Sequence, residues 1–204
     1  MNFLAHIYLS GEDSEVMVGN FIGDYVKGRN YEKYPDLVKK GILLHRKIDT
    51  FTDRHPVVAR SKTHLQPRFH KYAGVIVDIF YDHFLACEWK NFSKHPLPEY
   101  VIHMYESLVA NYFLLPNEIK SFLPFFIINN WLEAYTTTRG ISGVLRRMVK
   151  RTSLPNETTF AMAELKKNYG SFREEFYDYF PELIQYVEEK HGVSVTDFHE
   201  PSFA

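Results

Sequence analysis

Hydrophobic residues recur at three- and four-residue steps along most of the chain, which is the pattern of amphipathic helices. The Asn-Gly and Asp-Gly pairs typical of β-hairpins do not occur. Proline, glycine and capping residues divide the pattern into segments. Helices are predicted over 2–10, 15–26, 36–53, 57–66, 72–89, 99–113, 117–135 with a bend at Pro124, 141–151, 156–169, and two pieces flanking Pro181.

We therefore predict an all-α fold. Residues 1–191 are expected to form a single-domain helical bundle, and residues 192–204 a C-terminal tail. No internal repeat or flexible linker is visible that would divide the bundle.

One predicted helix carries acidic side chains where apolar ones are expected. Its segment AGVIVDIFYDHFLAC holds Asp78, Asp82 and His83 but no lysine or arginine. Asp78 and Asp82 are four residues apart, so on a helix they share a face and repel each other. Because buried carboxylates are costly unless they are paired or bind a cation, this segment predicts a divalent metal site.

Further metal-ligand residue types occur in the N-terminal half of the chain. His45 and Asp49 share a helical face, His6 lies among apolar residues, and Asp24 follows two glycines that permit close backbone approach. Histidine and aspartate together favour Mn, Fe, Zn or Mg, whereas a single cysteine, Cys87, excludes a thiolate-rich zinc site.

Structural roles remain open for each of these residues. His6 alone would be compatible with a core histidine, the His45 and Asp49 pair with a surface ion pair, and Asp24 with a turn. Asp78 and Asp82 are the hardest to explain without a cation.

Composition limits the classes of partner. Lys plus Arg (24) nearly balance Asp plus Glu (25), which argues against a nucleic-acid partner. No stretch approaches the roughly 20 apolar residues of a membrane span, and the N-terminus lacks the basic region of a signal peptide. With one cysteine, a cytoplasmic location is expected.

Four segments together resemble the acyl carrier protein phosphodiesterase family. They are MNFLAHIYLS, VGNFIGDYVKG, GILLHRKIDTFTDRHP and AGVIVDIFYDHFLACEW, and a looser likeness continues through YTTTRGISGVLRRMVKR and FREEFYDYFPEL. The resemblance implies a variant of the HD-domain phosphohydrolase fold. It also implies hydrolysis of the 4′-phosphopantetheine group from holo acyl carrier protein with a divalent metal, manganese in the first place and magnesium or iron(II) as alternatives.

The usual adjacent His-Asp pair of that superfamily is absent. The resemblance implies that its place is taken by the reversed pair Asp82 and His83, and that the other metal ligands are His6, Asp24, His45 and Asp49.

Catalytic and substrate-binding roles follow from this implied chemistry. We predict that Asp24 is the general base or a ligand, and that Asp78 and Arg46 are catalytic, while it stays open which of Asp78 and Asp82 binds the ion. Arg46 and Arg68 are predicted to hold the phosphate, since a guanidinium can bind two phosphate oxygens. Between Glu133 and Glu157 there is no acidic residue. The basic side chains of this stretch, predicted to bind the acidic helical carrier, are Arg139, Arg146, Arg147, Lys150 and Arg151.

Two other functions remain open from the sequence. One is a metal phosphohydrolase that acts on a nucleotide or another small phosphoester. The other is a non-catalytic helical module that binds carrier protein. The sequence leaves the oligomeric state undecided.

Overall fold

A computed structural model of the protein describes residues 2–195. Within this range the fold is all-α, with short 3₁₀ turns between helices and no strand. The helices, numbered in chain order, are α1 (Phe3–Tyr8), α2 (Ser14–Ile22), α3 (Asp36–Arg54), α4 (Pro56–Thr63), α5 (Gln66–Phe69), α6 (Ala73–Cys87), α7 (Leu97–Ala110), α8 (Asn117–Ile128), α9 (Thr138–Val149), α10 (Thr158–Lys167) and α11 (Tyr169–His191).

Helix α6 lies at the centre of the fold. It packs against α1, α4, α9 and α11, and every residue from Ile79 to Ala86 is buried. A helix that is apolar on all faces belongs in the interior, because only there are all of its faces covered. Any polar residue on α6 is therefore brought into the core with it.

Helices α2 and α3 pack at very close range. A Cβ atom at Gly19 would overlap the backbone carbonyl of Val38, and one at Gly41 would overlap that of Val16. The two glycines thus allow the helix backbones to approach each other directly. This contact brings the C-terminal part of α2 beside the middle of α3.

Two predicted helix boundaries were wrong. The helix predicted to reach residue 135 ends at Ile128, and Asn130 adopts a left-handed conformation with φ 42° that no α-helix continues through. Around Pro181 the predicted break is absent, and α11 is continuous. Proline removes only one helical hydrogen bond, and buried residues on both sides, Phe180 and Leu183 among them, keep the helix packed.

The first residues of the predicted tail pack onto the bundle. Val193 and Val195 are buried, and the Val195 backbone N–H donates to Glu188 Oε1 at 3.0 Å. The remainder of the predicted tail, 196–204, lies outside the described residues. Across the described part of the chain, none of the helices combines the length and apolar character that a bilayer crossing requires.

Candidate metal centre and active-site cavity

Two helices that are distant in sequence bring three metal-ligand side chains together. His6 of α1 meets His45 and Asp49 of α3, and their ligand atoms lie within 4.8 Å of one another. His6 Nε2 is 3.2 Å from one Asp49 carboxylate oxygen, and His45 Nε2 is 3.1 Å from the other. The two imidazole rings stack with their centroids 4.0 Å apart, so both Nε2 atoms face the same carboxylate.

Asn20 orients both imidazole rings. His6 Nδ1 donates to Asn20 Oδ1 at 2.8 Å, and His45 Nδ1 donates to the Asn20 backbone carbonyl at 2.9 Å. The Asn20 amide is itself fixed, because its Nδ2 donates to the His6 carbonyl at 2.7 Å and to Ser10 Oγ at 3.0 Å. Each ring therefore turns Nε2 towards Asp49.

The two Nε2 atoms are the feature that points to a cation. Both are buried, and each approaches an Asp49 carboxylate oxygen, at 3.2 and 3.1 Å, without the alignment of a hydrogen bond. Buried polar atoms are nearly always satisfied, and metal-bound histidines characteristically donate from the other ring nitrogen, as His6 and His45 do. Two imidazoles and a carboxylate fit a divalent ion of the Mn, Fe or Zn type.

The carboxylates of Asp24 and Asp49 give the two histidines very different pKa values. Burial, together with neighbouring His45, lowers the pKa of His6 to about 4. Burial also opposes protonation of His45, but the carboxylates of Asp24 and Asp49 outweigh it and raise the pKa of His45 to about 9. Although burial acts in the opposite direction, the two imidazoles hold the pKa of Asp49 well below its ordinary value. At neutral pH the positive charge of this group therefore lies on His45, between the carboxylates of Asp24 and Asp49.

Gly23 makes room for the His45 ring. A Cβ atom at this position, in the 3₁₀ turn Gly23–Tyr25 that follows α2, would overlap the imidazole. The same turn carries Asp24, whose carboxylate lies 3.4 Å from His45 Nε2 and is 72% exposed. The contact with His45 lowers the pKa of Asp24, so this carboxylate is ionised at neutral pH.

A cavity of about 290 Å³ opens onto these groups. Asp78 of α6 also lines it, and burial raises the pKa of this carboxyl. The remaining wall is mostly apolar. The lining residues are Asn2, Phe3, His6, Asn20, Phe21, Asp24, Tyr25, His45, Tyr72, Val75, Asp78, Met148, Thr152 and Leu154.

Asp82 and His83, predicted as metal ligands, have other partners. The two carboxylate oxygens of Asp82 accept from the backbone N–H groups of Leu4 and Ala5, at 2.8 and 3.1 Å. His83 Nδ1 donates to the Tyr135 carbonyl at 2.6 Å, and its Nε2 bonds the Tyr169 hydroxyl at 3.1 Å. Neither residue belongs to the group formed by His6, His45 and Asp49.

Comparison with known proteins identifies the family. The acyl carrier protein phosphodiesterase family model matches residues 1–183. Proteins named acyl carrier protein phosphodiesterase from Photorhabdus laumondii and from an Enterobacter strain are 28% and 29% identical to the chain. Each alignment covers 93% of the chain, and 96% and 99% of the respective relative. The chain belongs to the acyl carrier protein phosphodiesterase family. It is accordingly an enzyme of the phosphoric diester hydrolase class.

A third relative of the same name, from Yersinia pestis, is 26% identical over 93% of the chain and 99% of its own length. No solved structure matches the chain. The likeness to the HD-domain scaffold therefore stays a prediction, whereas the all-α class is confirmed.

The predicted phosphate-binding arginines lie outside the cavity of this phosphodiesterase-family chain. Arg46 Nη2 donates to the carbonyls of Val26 and Gly28, at 2.7 and 2.8 Å. Arg68 is 61% exposed and lies 3.9 Å from Glu157. Neither lines the cavity next to the histidines.

The predicted basic stretch forms α9 and the turn after it, beside the cavity. Met148 and Thr152 line the cavity, and the exposed Lys150 and Arg151 lie between them in the chain. Two guanidinium groups pack on aromatic rings, Arg147 at 4.9 Å from Trp131 and Arg151 at 4.0 Å from Phe125. The side chains that are exposed to solvent are Arg139, Arg146, Lys150 and Arg151.

Asn20 is the site residue that sequence reasoning missed. It is completely buried and occupies an apolar helix one residue after Gly19. A buried amide in such a place needs polar partners. That was the available signal, but the identity of the partners depends on α1 and α3, which the local pattern does not reveal.

Proposed function

We propose that this protein hydrolyses the phosphodiester that joins 4′-phosphopantetheine to a serine of holo acyl carrier protein, and that it does so with a divalent metal ion. The observation that carries the proposal is the convergence of two buried Nε2 atoms on the Asp49 carboxylate, beside a cavity that both histidines line. Membership of the acyl carrier protein phosphodiesterase family supports the choice of substrate.

His6, His45 and Asp49 would hold the ion, and Asp24 is close enough to His45 to join them. When bound, a divalent ion supplies Lewis-acid activation of a water molecule and of a phosphoryl oxygen. Manganese is the ion that we propose first, with magnesium or iron(II) as alternatives, because imidazole and carboxylate ligands suit borderline and hard divalent ions.

Asp24 and Asp78 differ in the direction of their pKa shifts, lowered for Asp24 and raised for Asp78, and we assign them different tasks. Asp24 is exposed and ionised, so it can accept a proton from the attacking water. Asp78 lines the same cavity and holds its proton more tightly because it is buried. We therefore assign Asp78 as the candidate proton donor to the departing serine oxygen.

The rest of the cavity fits the pantetheine arm and its protein. Apolar side chains such as Tyr72, Val75 and Leu154 provide a dry wall for the arm. Lys150 and Arg151, which lie in the chain between the lining residues Met148 and Thr152, are exposed and would attract an acidic carrier.

The test is to incubate the protein and Mn²⁺ with holo acyl carrier protein and to record the intact mass of the carrier. We expect loss of the phosphopantetheine mass with gain of a free serine, and suppression of this reaction by a chelator. Restoration by added Mn²⁺ is the control. A carrier that stays intact with Mn²⁺, Mg²⁺ and Fe²⁺ would contradict the proposal. Hydrolysis of small phosphodiesters under those conditions would then favour a small-phosphoester hydrolase.

A further inference from the structure

Three aromatic rings next to the candidate active-site cavity carry two arginine side chains. Phe122 and Phe125 of α8 contact each other and Trp131, which follows that helix, with ring centroids 6.4, 5.3 and 6.1 Å apart. The Arg147 guanidinium lies 4.9 Å from the Trp131 ring, and that of Arg151 lies 4.0 Å from the Phe125 ring. These five residues form an arginine–aromatic cluster.

The cluster adjoins the cavity but lies outside it. Phe122 stacks on Phe3 with 6.1 Å between the ring centroids, and Phe3 lines the cavity. Each of the two arginines directly precedes a residue that lines the cavity, Met148 and Thr152 respectively, yet neither arginine lines it. The guanidinium groups are therefore placed to contact what stays outside the cavity, rather than a group that enters it.

The aromatic rings restrain both guanidinium groups before a partner arrives. Cation–π attraction holds a guanidinium flat on a ring, and this holds its donors in a fixed orientation. Arg147 is half-buried, and its Nε is buried without a hydrogen-bond partner among residues 2–195. Because these side chains have already lost rotamer freedom, a contact with them costs less entropy than one with a freely moving surface cation.

The charge around the cluster is positive. Between Glu133 and Glu157 the sequence holds five cations and no acidic residue, and none of the five forms an ion pair within residues 2–195. Glu157 itself lies 3.9 Å from Arg68. Glu118, one turn before Phe122 on α8, is not paired with either cluster arginine. Both guanidinium groups are thus available to an anionic partner.

The composition of the cluster favours a protein over a nucleic acid. Arginine and large aromatic side chains are the residues most enriched where protein interfaces gain their binding energy, and the guanidinium fork matches a carboxylate. Binding to nucleic acid instead relies on a broadly basic surface, whereas this chain balances 24 basic against 25 acidic residues.

We propose that the arginine–aromatic cluster docks the acidic carrier protein, with Arg147 and Arg151 holding carrier carboxylates. The inference rests on the proposed function and deepens it, because it assigns recognition of the carrier to the two stacked guanidinium groups rather than to the positive charge of the whole segment. Nucleic acid and a second copy of this chain are the occupants that the test must separate from the carrier.

The experiment compares Arg151→Gln with Arg146→Gln. Arg146 is exposed on α9, and its guanidinium donates to Ser142 Oγ at 2.9 Å instead of stacking on a described ring. Binding of fluorescently labelled holo carrier is measured by anisotropy with a chelator present, and kcat/KM is measured on holo carrier with Mn²⁺. We expect Arg151→Gln to weaken binding and lower kcat/KM by about tenfold, mainly through KM. Arg146→Gln should stay within about threefold of the wild type.

Arg151→Lys separates the stacked guanidinium from its charge. Lysine keeps the positive charge but lacks the planar fork, so we expect carrier binding to weaken by about threefold or more. Arg151→Gln should also reduce the dependence of binding on ionic strength. Mn²⁺ affinity and melting temperature should be unchanged in all three variants, which excludes damage to the metal site or the fold.

The outcomes separate the two proposals. If the wild type binds carrier and Arg151→Gln stays within about twofold of it, the docking inference is overturned while the proposed function stands. The same holds if Arg151→Lys binds like the wild type, or if Arg146→Gln loses as much as Arg151→Gln. If the wild type binds carrier without turnover and Arg151→Gln loses binding, the docking surface stands and the proposed function fails.

Two further results would give the cluster to another occupant. Displacement of the carrier by a DNA oligonucleotide that binds more tightly would assign the surface to nucleic acid. A change in oligomeric state in Arg151→Gln, with carrier binding unchanged, would assign it to self-association. Either result overturns the inference.

Discussion

Asp49 is the residue on which both histidines converge, since its two carboxylate oxygens lie 3.2 and 3.1 Å from their Nε2 atoms. Replacing Asp49 by Asn removes the negative charge that holds a cation. We expect Mn²⁺ affinity to fall by about 100-fold, as measured by isothermal titration calorimetry.

Asp53 offers the matched control for that experiment. It lies four residues further along α3, is 76% exposed and pairs with Lys62 at 3.0 Å. Asp53→Asn should retain wild-type Mn²⁺ affinity. An equal loss in both variants would show that Asp49 acts through general charge rather than as a ligand.

Substitution of Asn20 tests whether the orientation of the His6 and His45 rings affects metal affinity. Asn20→Ala removes the acceptor for His6 Nδ1 and should weaken Mn²⁺ binding by about 10- to 100-fold. Asn20→Asp keeps an acceptor at that position and should recover most of the affinity, although it will lower the melting temperature by burying a charge. Equal metal affinities in Asn20→Ala and wild type would rule out this positioning role.

The residue types of the site were predictable from the sequence, but their partners were not. His45 and Asp49 were predicted as a pair because helical spacing alone puts them on one face. Asp82 looked like a ligand because it is a carboxylate in an apolar helix, yet its charge is met by the N–H groups of another helix. Helical periodicity carries no information about such tertiary hydrogen bonds.

At the level of elements, Asp82 caps helix α1 from a distance. It accepts from two of the first backbone N–H groups, which have no intrahelical partner. The side chain is fully buried, and burial raises the pKa of Asp82 to about 7. The position of α1, which carries His6, is therefore linked to the protonation state of the Asp82 carboxyl on α6.

This raised pKa predicts a pH dependence of stability. The folded state holds the Asp82 proton more tightly than the unfolded chain, whose carboxyl titrates near 3.8. The stabilisation from this group is therefore present below about pH 4 and is lost as pH rises through about 7. By linkage it amounts to at most about 4 kcal/mol.

The measurement is urea unfolding of the wild type and of Asp82→Asn between pH 4 and pH 8. We expect the difference between their unfolding free energies to change across this range, to the disadvantage of the wild type at high pH. A constant difference would mean that the pKa of Asp82 is not raised in the folded protein.

Gly23 shows how a turn next to α2 shapes the metal centre. Its backbone has ordinary helical angles, so alanine causes no backbone strain there, but the added Cβ would overlap the His45 ring. Gly23→Ala should therefore displace His45 and reduce Mn²⁺ affinity by about tenfold or more. Gly170→Ala is the control, because a Cβ there has open space. Wild-type affinity in Gly23→Ala would contradict the geometry.

Most helices were predictable because capping residues and apolar periodicity are local signals. The errors arose where tertiary packing outweighs a local signal. Pro181 was expected to break the chain into two pieces, yet the buried face of α11 runs through it. Helix α8 ends at Ile128, earlier than periodicity indicated, because the left-handed backbone of Asn130 belongs to a turn.

At the scale of the whole molecule, packing of α1, α2, α3 and α6 assembles the candidate site. The close contact of α2 and α3 puts Asn20 against His45. Asp82 of α6 caps α1 and fixes it where His6 lies beside His45. Sequence reasoning predicted that ligands come from these segments. The division between ligands and supporting residues required the three-dimensional arrangement.

The most direct test of the metal centre is anomalous diffraction from crystals of the protein soaked with MnCl₂. We predict one manganese peak at about 2.0–2.3 Å from His6 Nε2, His45 Nε2 and an Asp49 carboxylate oxygen. A peak at Asp82 and His83 instead, or none near the histidine pair at saturating manganese, would contradict the account.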